Sequence, residues 1–296
     1  MFPTFIPAAA ERLSEETSIA FLQQMQCEAI ATPLSTSPIP TTYVSQGNGG
    51  TPILLLHGFD SSAIEFRRLL PLLAAENETR AVDLLGFGFT DRAVGISFGT
   101  QAIKTHLYAF WEALIQQPVI LVGASMGGAT AIDFALTYPE AVSALILIDS
   151  AGLTNPPLSS RFMFSPLDSF ATEFLRSPRV RQQISRAAYY DKSLASTDAQ
   201  LCAALHLELP QWNRAIAAFT KSGGYGSFAA RLSTLQTPTL IIWGQNDQIL
   251  GTKAAQTFQQ KIPNSTLVWI DRCGHVPHLE KPQETAKAIL DWIAVE

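Results

Sequence analysis

The 296-residue sequence predicts an α/β fold: a mostly parallel, doubly wound sheet with an inserted helical cap. Three observations lead there. Short apolar runs bounded by turn residues alternate with stretches of helical apolar spacing from about residue 53 to 152, as parallel strands covered on both faces require. The alternation stops after Gly152, and no strand-like run appears up to about Ala230. It then resumes with "PTLIIWGQND" and "STLVWIDRCGH". Residues 1–152 and 231–296 therefore read as one core domain and 153–230 as a helical cap.

Composition bounds the function. A hydrophobic fraction of 47% supports a large core, and a net charge of −5 argues against nucleic acid as a partner. Cys27, Cys202 and Cys273 are far apart and odd in number, so neither a disulfide framework nor a paired metal site is legible. A reducing, cytoplasmic setting is expected. No apolar run reaches the roughly 18 residues of a membrane span. The N-terminus lacks the basic segment of a secretory signal, although Ala8-Ala9-Ala10 resembles a cleavage site. "IAFLQQMQCEAI" carries a helical apolar stripe; packing on its own domain is the weightier reading, and peripheral membrane contact stays open.

The elements follow in order. Residues 31–52, rich in Ser, Thr, Pro and Gly, read as turns with one short edge strand around Thr42 to Ser45. "PILLLHG" is a buried strand, "SAIEFRRLLPLLAAE" a helix, and "TRAVDLLG" a strand ending at Asp83. "TQAIKTHLYAFWEALIQQ" is amphipathic, and "PVILVGAS" is a strand. "MGGATAIDFALTYP" is a helix of small residues, and "VSALILIDSAG" a further strand. "KPQETAKAILDWIAVE" is the closing helix.

Gly123-Ala124-Ser125-Met126-Gly127 lies where a buried strand runs into a helix. That context turns a weak pentapeptide into a nucleophile elbow, with Ser125 held out on a strained turn between glycines. A serine hydroxyl needs a base. Of the five histidines, His275 follows the last strand and so falls on the same sheet edge as Ser125. His278 is expected to face away or to cap locally, and His57 to orient backbone. His106 and His206 read as packing residues, with His206 able to line a pocket. The acid comes from Asp247, in "IIWGQND", or from Asp149, in "LILIDS"; both satisfy the order Ser, Asp, His, and Asp247 is favoured. The oxyanion donors are the backbone N–H groups of Met126 and Phe59.

"LLLHGFDSS", "VDLLGFGFTD", "VGASMGG", "WGQNDQI" and "GHVPHLEKP", in this order, resemble the α/β-hydrolase superfamily over nearly the whole chain. "HGFDSSAIEFRRLLPLL", "FTKSGGY", "WGQNDQI" and "CGHVPHLEKP" are also similar to the chlorophyll dephytylase and pheophytinase group, which hydrolyses phytyl esters of chlorophyll-type pigments. The resemblance implies Ser125 as nucleophile, Asp247 as acid and His275 as base, with no metal or cofactor. The expected reaction is hydrolysis of an apolar small-molecule ester through an acyl-enzyme, with the phytyl ester as the narrower expectation.

Cap aromatics (Phe162, Phe164, Phe170, Phe174, Tyr189, Tyr190, Trp212, Phe219 and Tyr225) suggest an apolar binding site, with core packing expected for more than half. A serine at the elbow argues against dehalogenases and epoxide hydrolases, which use a carboxylate there. A general carboxylesterase or thioesterase, a C–C bond hydrolase and a perhydrolase would share the same triad. A slow-turnover ligand receptor or a regulatory partner protein of this fold is the alternative of another class.

Overall fold

The computed structural model describes residues 1–92, 95–155 and 167–295. Eight strands form one sheet: β1 Gln26–Ile30, β2 Ile39–Gln46, β3 Ile53–Leu56, β4 Thr79–Val82, β5 Val119–Ala124, β6 Val142–Ile148, β7 Thr239–Gly244 and β8 Ser265–Ile270. Their order is β1-β2-β4-β3-β5-β6-β7-β8. β2 pairs antiparallel with both β1 and β4, and the other five pairings are parallel, so the sheet is mixed and mostly parallel.

Side-chain alternation explains why these apolar runs become central strands. Leu54, Leu56, Leu121, Leu145, Leu147, Ile241 and Trp243 pack into the core on one face of the sheet. Their sequence neighbours Ile53, Leu55, Ile120, Val122, Ile146, Ile148, Leu240 and Ile242 pack into the core on the other. A strand covered on both faces has to be apolar at every position, and each such side chain contributes about 1.5–3 kcal/mol on burial.

Helices α1 Glu16–Gln23, α2 Leu70–Leu73, α3 Thr100–Leu114, α4 Met126–Thr137, α9 Lys253–Lys261, α10 Pro277–Glu280 and α11 Pro282–Ile293 belong to the sheet layers. Four more, α5 Leu167–Arg176, α6 Pro178–Ala188, α7 Thr197–Cys202 and α8 Trp212–Lys221, fall between β6 and β7 and form the inserted cap. No helix among the described residues is long and apolar enough to cross a membrane.

Three local expectations change. "SAIEFRRLLPLLAAE" is not one helix: a 3₁₀ turn, Ala63–Phe66, precedes the short helix α2 Leu70–Leu73. The stripe "IAFLQQMQCEAI" is not one helix: α1 ends at Gln23, and Gln26–Ile30 is the edge strand β1. The strand expected around Thr42 to Ser45 runs over Ile39–Gln46 and lies inside β1. Buried Phe21 and Leu22 supplied the helical spacing, and the five exposed-to-buried residues after Met25 continued it by coincidence. Phe162 and Phe164 lie outside the described residues, as does the side chain of Phe170.

Parallel register gathers the chemistry at one edge. Leu56 pairs with Gly123, Ala124 with Ile148, Ile148 with Ile242, and Gly244 with Ile270. The segments that follow these strands carry Phe59, Ser125, Asp149, Asp247 and His275.

Candidate active site

Ser125 sits between β5 and α4 at φ 52 and ψ −117, a region that side-chain-bearing residues adopt only when the surroundings impose it. Three bonds impose it here. The Ser125 N–H donates to the Ile148 carbonyl at 3.0 Å, and its own carbonyl accepts from Gly128 at 3.0 Å and Ala151 at 2.9 Å. The glycines are mechanical. A Cβ at Gly123 would lie 2.3 Å from the Gly127 carbonyl oxygen, and one at Gly127 would lie 2.0 Å from the Leu56 carbonyl oxygen.

His275 donates through Nδ1 to Asp247 Oδ2 at 3.0 Å, which leaves Nε2 as the basic nitrogen. The other Asp247 oxygen accepts the N–H groups of Ile249 at 2.7 Å and Leu250 at 3.1 Å. Burial pushes this carboxyl up, but the hydrogen bond and charge of His275, with those two backbone donors, hold it below the ordinary aspartate value. The second candidate acid stands directly behind the first. Ligating atoms of Asp149, Asp247 and His275 all lie within 4.8 Å of one another. Asp149 is fully buried; its carboxyl accepts a long, shared bond from the Gly244 N–H, at 3.2 and 3.3 Å, and shares a side-chain hydrogen bond with Asp247. Burial first, and the neighbouring Asp247 charge second, push its pKa well above the ordinary value. Geometry thus gives the imidazole to Asp247, with Asp149 as a neutral acid beside it.

The turn after β3 carries Phe59. His57 Nε2 accepts the Leu84 N–H at 3.1 Å, so the proton is on Nδ1, which donates to the Gly58 carbonyl at 2.8 Å. The peptide linking Gly58 to Phe59 is thereby oriented, because its carbonyl and the Phe59 N–H share one plane. Among the described residues the Phe59 N–H has no acceptor. Gly58 packs on the elbow: a Cβ there would lie 3.5 Å from Ser125 Cβ. Met126 follows as the first residue of α4.

Ser125 and His275 line one cavity of about 310 Å³ together with Gly58, Phe59, Asp60, Glu65, Arg67, Arg181, Tyr189 and His278. A larger cleft of about 770 Å³, lined by residues such as Ser14, Arg68, Asp198 and Gln283, is an open surface depression away from the strand ends. Ser125, His275 and the turn that carries Phe59 share the smaller cavity.

The remaining histidines divide as their partners dictate. His106 is buried, 2.9 Å from Thr41 Oγ1, and burial lowers its pKa to about 4. His278 does not face away: it lines the cavity, tilted against Phe66 with ring centroids 5.2 Å apart and 3.5 Å from Glu65. Helix α10 begins between the two histidines and turns His278 inward. His206 is a cap residue bonded to the core through Asp60.

Asp60 is the main omission of the sequence reading. Its carboxylate accepts from Arg181, from Trp212 Nε1 at 2.7 Å and from His206 Nε2 at 3.1 Å. Burial alone would raise its pKa, but the His206 hydrogen bond and the Arg181 charge hold it below the ordinary value. Burial pushes His206 down, against the pull of the Asp60 carboxylate. Glu65 was also missed; its carboxylate accepts the Gly58 N–H at 3.0 Å. The one available signal was an acid directly after the "HGF" turn, since its partners lie 121 to 152 positions away.

A family profile described as alpha/beta hydrolase fold matches residues 51–282. The alpha/beta hydrolase domain-containing protein VTE7 of Arabidopsis thaliana is 31% identical over 98% of this chain and 90% of its own length. The 2-hydroxy-6-oxo-6-(2'-aminophenyl)hexa-2,4-dienoic acid hydrolase of Metapseudomonas resinovorans is 27% identical over 96% of this chain and 95% of its own. A solved serine hydrolase involved in carbazole degradation superposes with a TM-score of 0.76 at 25% identity, covering 92% of this chain and 100% of that one. These likenesses overturn the expectation of ester hydrolysis. The dienoic acid hydrolase, matched along nearly all of both chains, has a named substrate with no ester, and none of the three is named for a chlorophyll-type pigment.

Proposed function

The chain belongs to the alpha/beta hydrolase fold family, and on that premise we propose that it hydrolyses a carbon–carbon bond next to a ketone. The substrate class is a 2-hydroxy-6-oxodienoate or a close analogue. The observation that carries this reading is the likeness over 96% of this chain to a hydrolase of such an acid. That named substrate has a ketone and a carboxylate but no ester, so hydrolysis has to break a carbon–carbon bond. Cavity size supports the reading. About 310 Å³ is at the low end of the roughly 300–1,000 Å³ of small-molecule sites and suits a short conjugated acid better than a tetrapyrrole with a long tail. Arg67 and Arg181 on the wall, bonded to Glu15 and Asp60, each keep an Nε without a partner among the described residues, which could take a substrate carboxylate.

The chemistry assigns a role to each residue. The dienol first moves its hydroxyl proton to carbon, giving a ketone that can accept the electrons released later. Ser125 Oγ then adds to the second ketone while His275 Nε2 takes its proton. Phe59 and Met126 N–H groups hold the resulting oxyanion. Collapse breaks the carbon–carbon bond, and the electron pair passes into the conjugated enolate, which takes a proton from the imidazolium. Water, deprotonated by His275, releases the acyl group from Ser125 as a carboxylic acid. Asp247 keeps the imidazole in the required tautomer throughout. The three free cysteines support placing the protein in a reducing compartment such as the cytoplasm.

Product analysis tests the proposal. The purified protein is incubated with an aryl 2-hydroxy-6-oxohexadienoate in isotopically labelled water. An aryl carboxylic acid carrying one solvent oxygen, with an equimolar short dienoate, is expected. Unchanged dienoate under conditions in which the protein is folded would refute the assignment.

A further inference from the structure

We propose that Asp60 is a positioning residue that couples the seating of the cap to the oxyanion hole. The proposal rests on the role given above to the Phe59 N–H. Asp60 directly follows Phe59 and sits at φ 48, a left-handed conformation that a side-chain-bearing residue keeps only when held. Among the described residues, each hydrogen-bond partner of its carboxylate is in the cap: Arg181 on α6, His206 in the short turn Leu205–Glu208, and Trp212 at the start of α8. The three partners are separated in sequence, so the bonds form together only when the cap is seated as a unit.

The core holds the opposite side of the same turn. Glu65 takes the Gly58 N–H, and His57 takes the Gly58 carbonyl. Phe59 thus lies between a residue pinned by the core and a residue pinned by the cap. Its ring repeats the pattern, meeting Phe87 of the core at 5.9 Å and Phe219 of α8 at 5.7 Å. With the cap unseated, the Asp60 carboxylate loses these three hydrogen-bond partners, and the cap no longer holds the Phe59 N–H toward the substrate carbonyl at Ser125. A substrate that fills the cavity under the cap then completes its own oxyanion hole by favouring the seated state.

The test separates this role from plain cap stability and from the choice of substrate. A fluorophosphonate reacts with an activated serine and places its phosphoryl oxygen in the oxyanion hole, so its labelling of Ser125 reads the hole without any assumption about the natural substrate. Trp212→Phe removes one donor to Asp60 while keeping an aromatic ring, and Trp212 does not line the cavity. Its maximal labelling rate is expected to fall about tenfold, with the half-saturating probe concentration little changed, because losing one oxyanion donor costs about 10²–10³-fold. Asp60→Ala should fall further, and adding Trp212→Phe to it should cost nothing more. Asp60→Asn, which keeps an acceptor for Trp212, should recover part of the rate. Labelling is measured well below the unfolding midpoint of each variant. An unchanged maximal rate in Trp212→Phe, additive losses in the double variant, or a loss that tracks only the unfolded fraction would overturn the proposal. Wild type that labels no faster than Ser125→Ala would overturn the reading of the site itself.

Discussion

Gly127→Ala is the most exacting perturbation of the elbow. The added methyl carbon would lie 2.0 Å from the Leu56 carbonyl oxygen, 2.6 Å from the Leu56 carbonyl carbon and 2.7 Å from the His57 carbonyl oxygen. Carbon atoms in van der Waals contact sit at about 3.5–4.0 Å, so relief requires a shift of more than an ångström. All three obstructing atoms are backbone, and none can rotate away. Inserting a methylene into a packed core costs about 1–3 kcal/mol. The immovable neighbours place this variant at the top of that range, about 3 kcal/mol. The displaced segment is the end of β3 and the turn that carries Phe59. Activity should therefore suffer beyond stability, because a misplacement of about 1 Å costs on the order of 10²-fold in rate. Urea unfolding gives the stability change, and fluorophosphonate labelling of the folded fraction gives the second effect. A loss below about 1 kcal/mol with a wild-type labelling rate would refute the view that the elbow closes directly on the oxyanion turn.

Three further outcomes are expected. Asp247→Asn keeps the shape but offers His275 the wrong hydrogen-bond partner, and turnover should fall about 10⁴-fold; a loss under tenfold would mean that Asp149 takes over as the acid. Asp149 has a raised folded pKa, so its native state holds a proton that the unfolded chain gives up near the ordinary value of 3.8. Wild type should therefore lose stability relative to Asp149→Asn as pH climbs from that value toward the raised one, whereas a constant difference in unfolding midpoint across that climb would contradict a neutral Asp149. Glu15, paired with Arg68 at 2.6 Å and also facing Arg67, has the opposite sign. Burial would raise its pKa, but the Arg68 hydrogen bond and the Arg67 charge lower it from 4.5 to about 2. Its contribution is present above 4.5 and lost as pH falls to about 2, so Glu15→Gln should be less stable than wild type at neutral pH and equal to it in strong acid.

Much of this was legible in the sequence because buried parallel strands announce themselves. Once "PILLLHG", "PVILVGAS", "VSALILIDS" and "TLIIWG" are strands of one parallel sheet, their ends must share one edge, which is where the segments carrying Ser125, Asp247 and His275 begin. The choice between Asp149 and Asp247 was narrowed by position alone; the structure adds that they are neighbours and that the imidazole bonds to Asp247. What escaped depends on tertiary placement. The helical spacing of residues 19–30 concealed an edge strand, because three or four apolar residues fit either period. Asp60 pairs with residues of the cap, and no local pattern links them. His278 was assigned outward by counting from His275, but a short helix starting at Pro277 intervenes. The bond proposed to be cut was least legible, because a serine, histidine and aspartate at one sheet edge would serve an ester and a ketone alike.

The most direct test of the account is the visible absorbance of an aryl 2-hydroxy-6-oxohexadienoate, followed with equal amounts of wild type and Ser125→Ala. The account predicts that wild type bleaches the conjugated dienol over many turnovers while Ser125→Ala does not, with one aryl acid formed for each dienol lost. Bleaching by wild type no faster than by Ser125→Ala would contradict it.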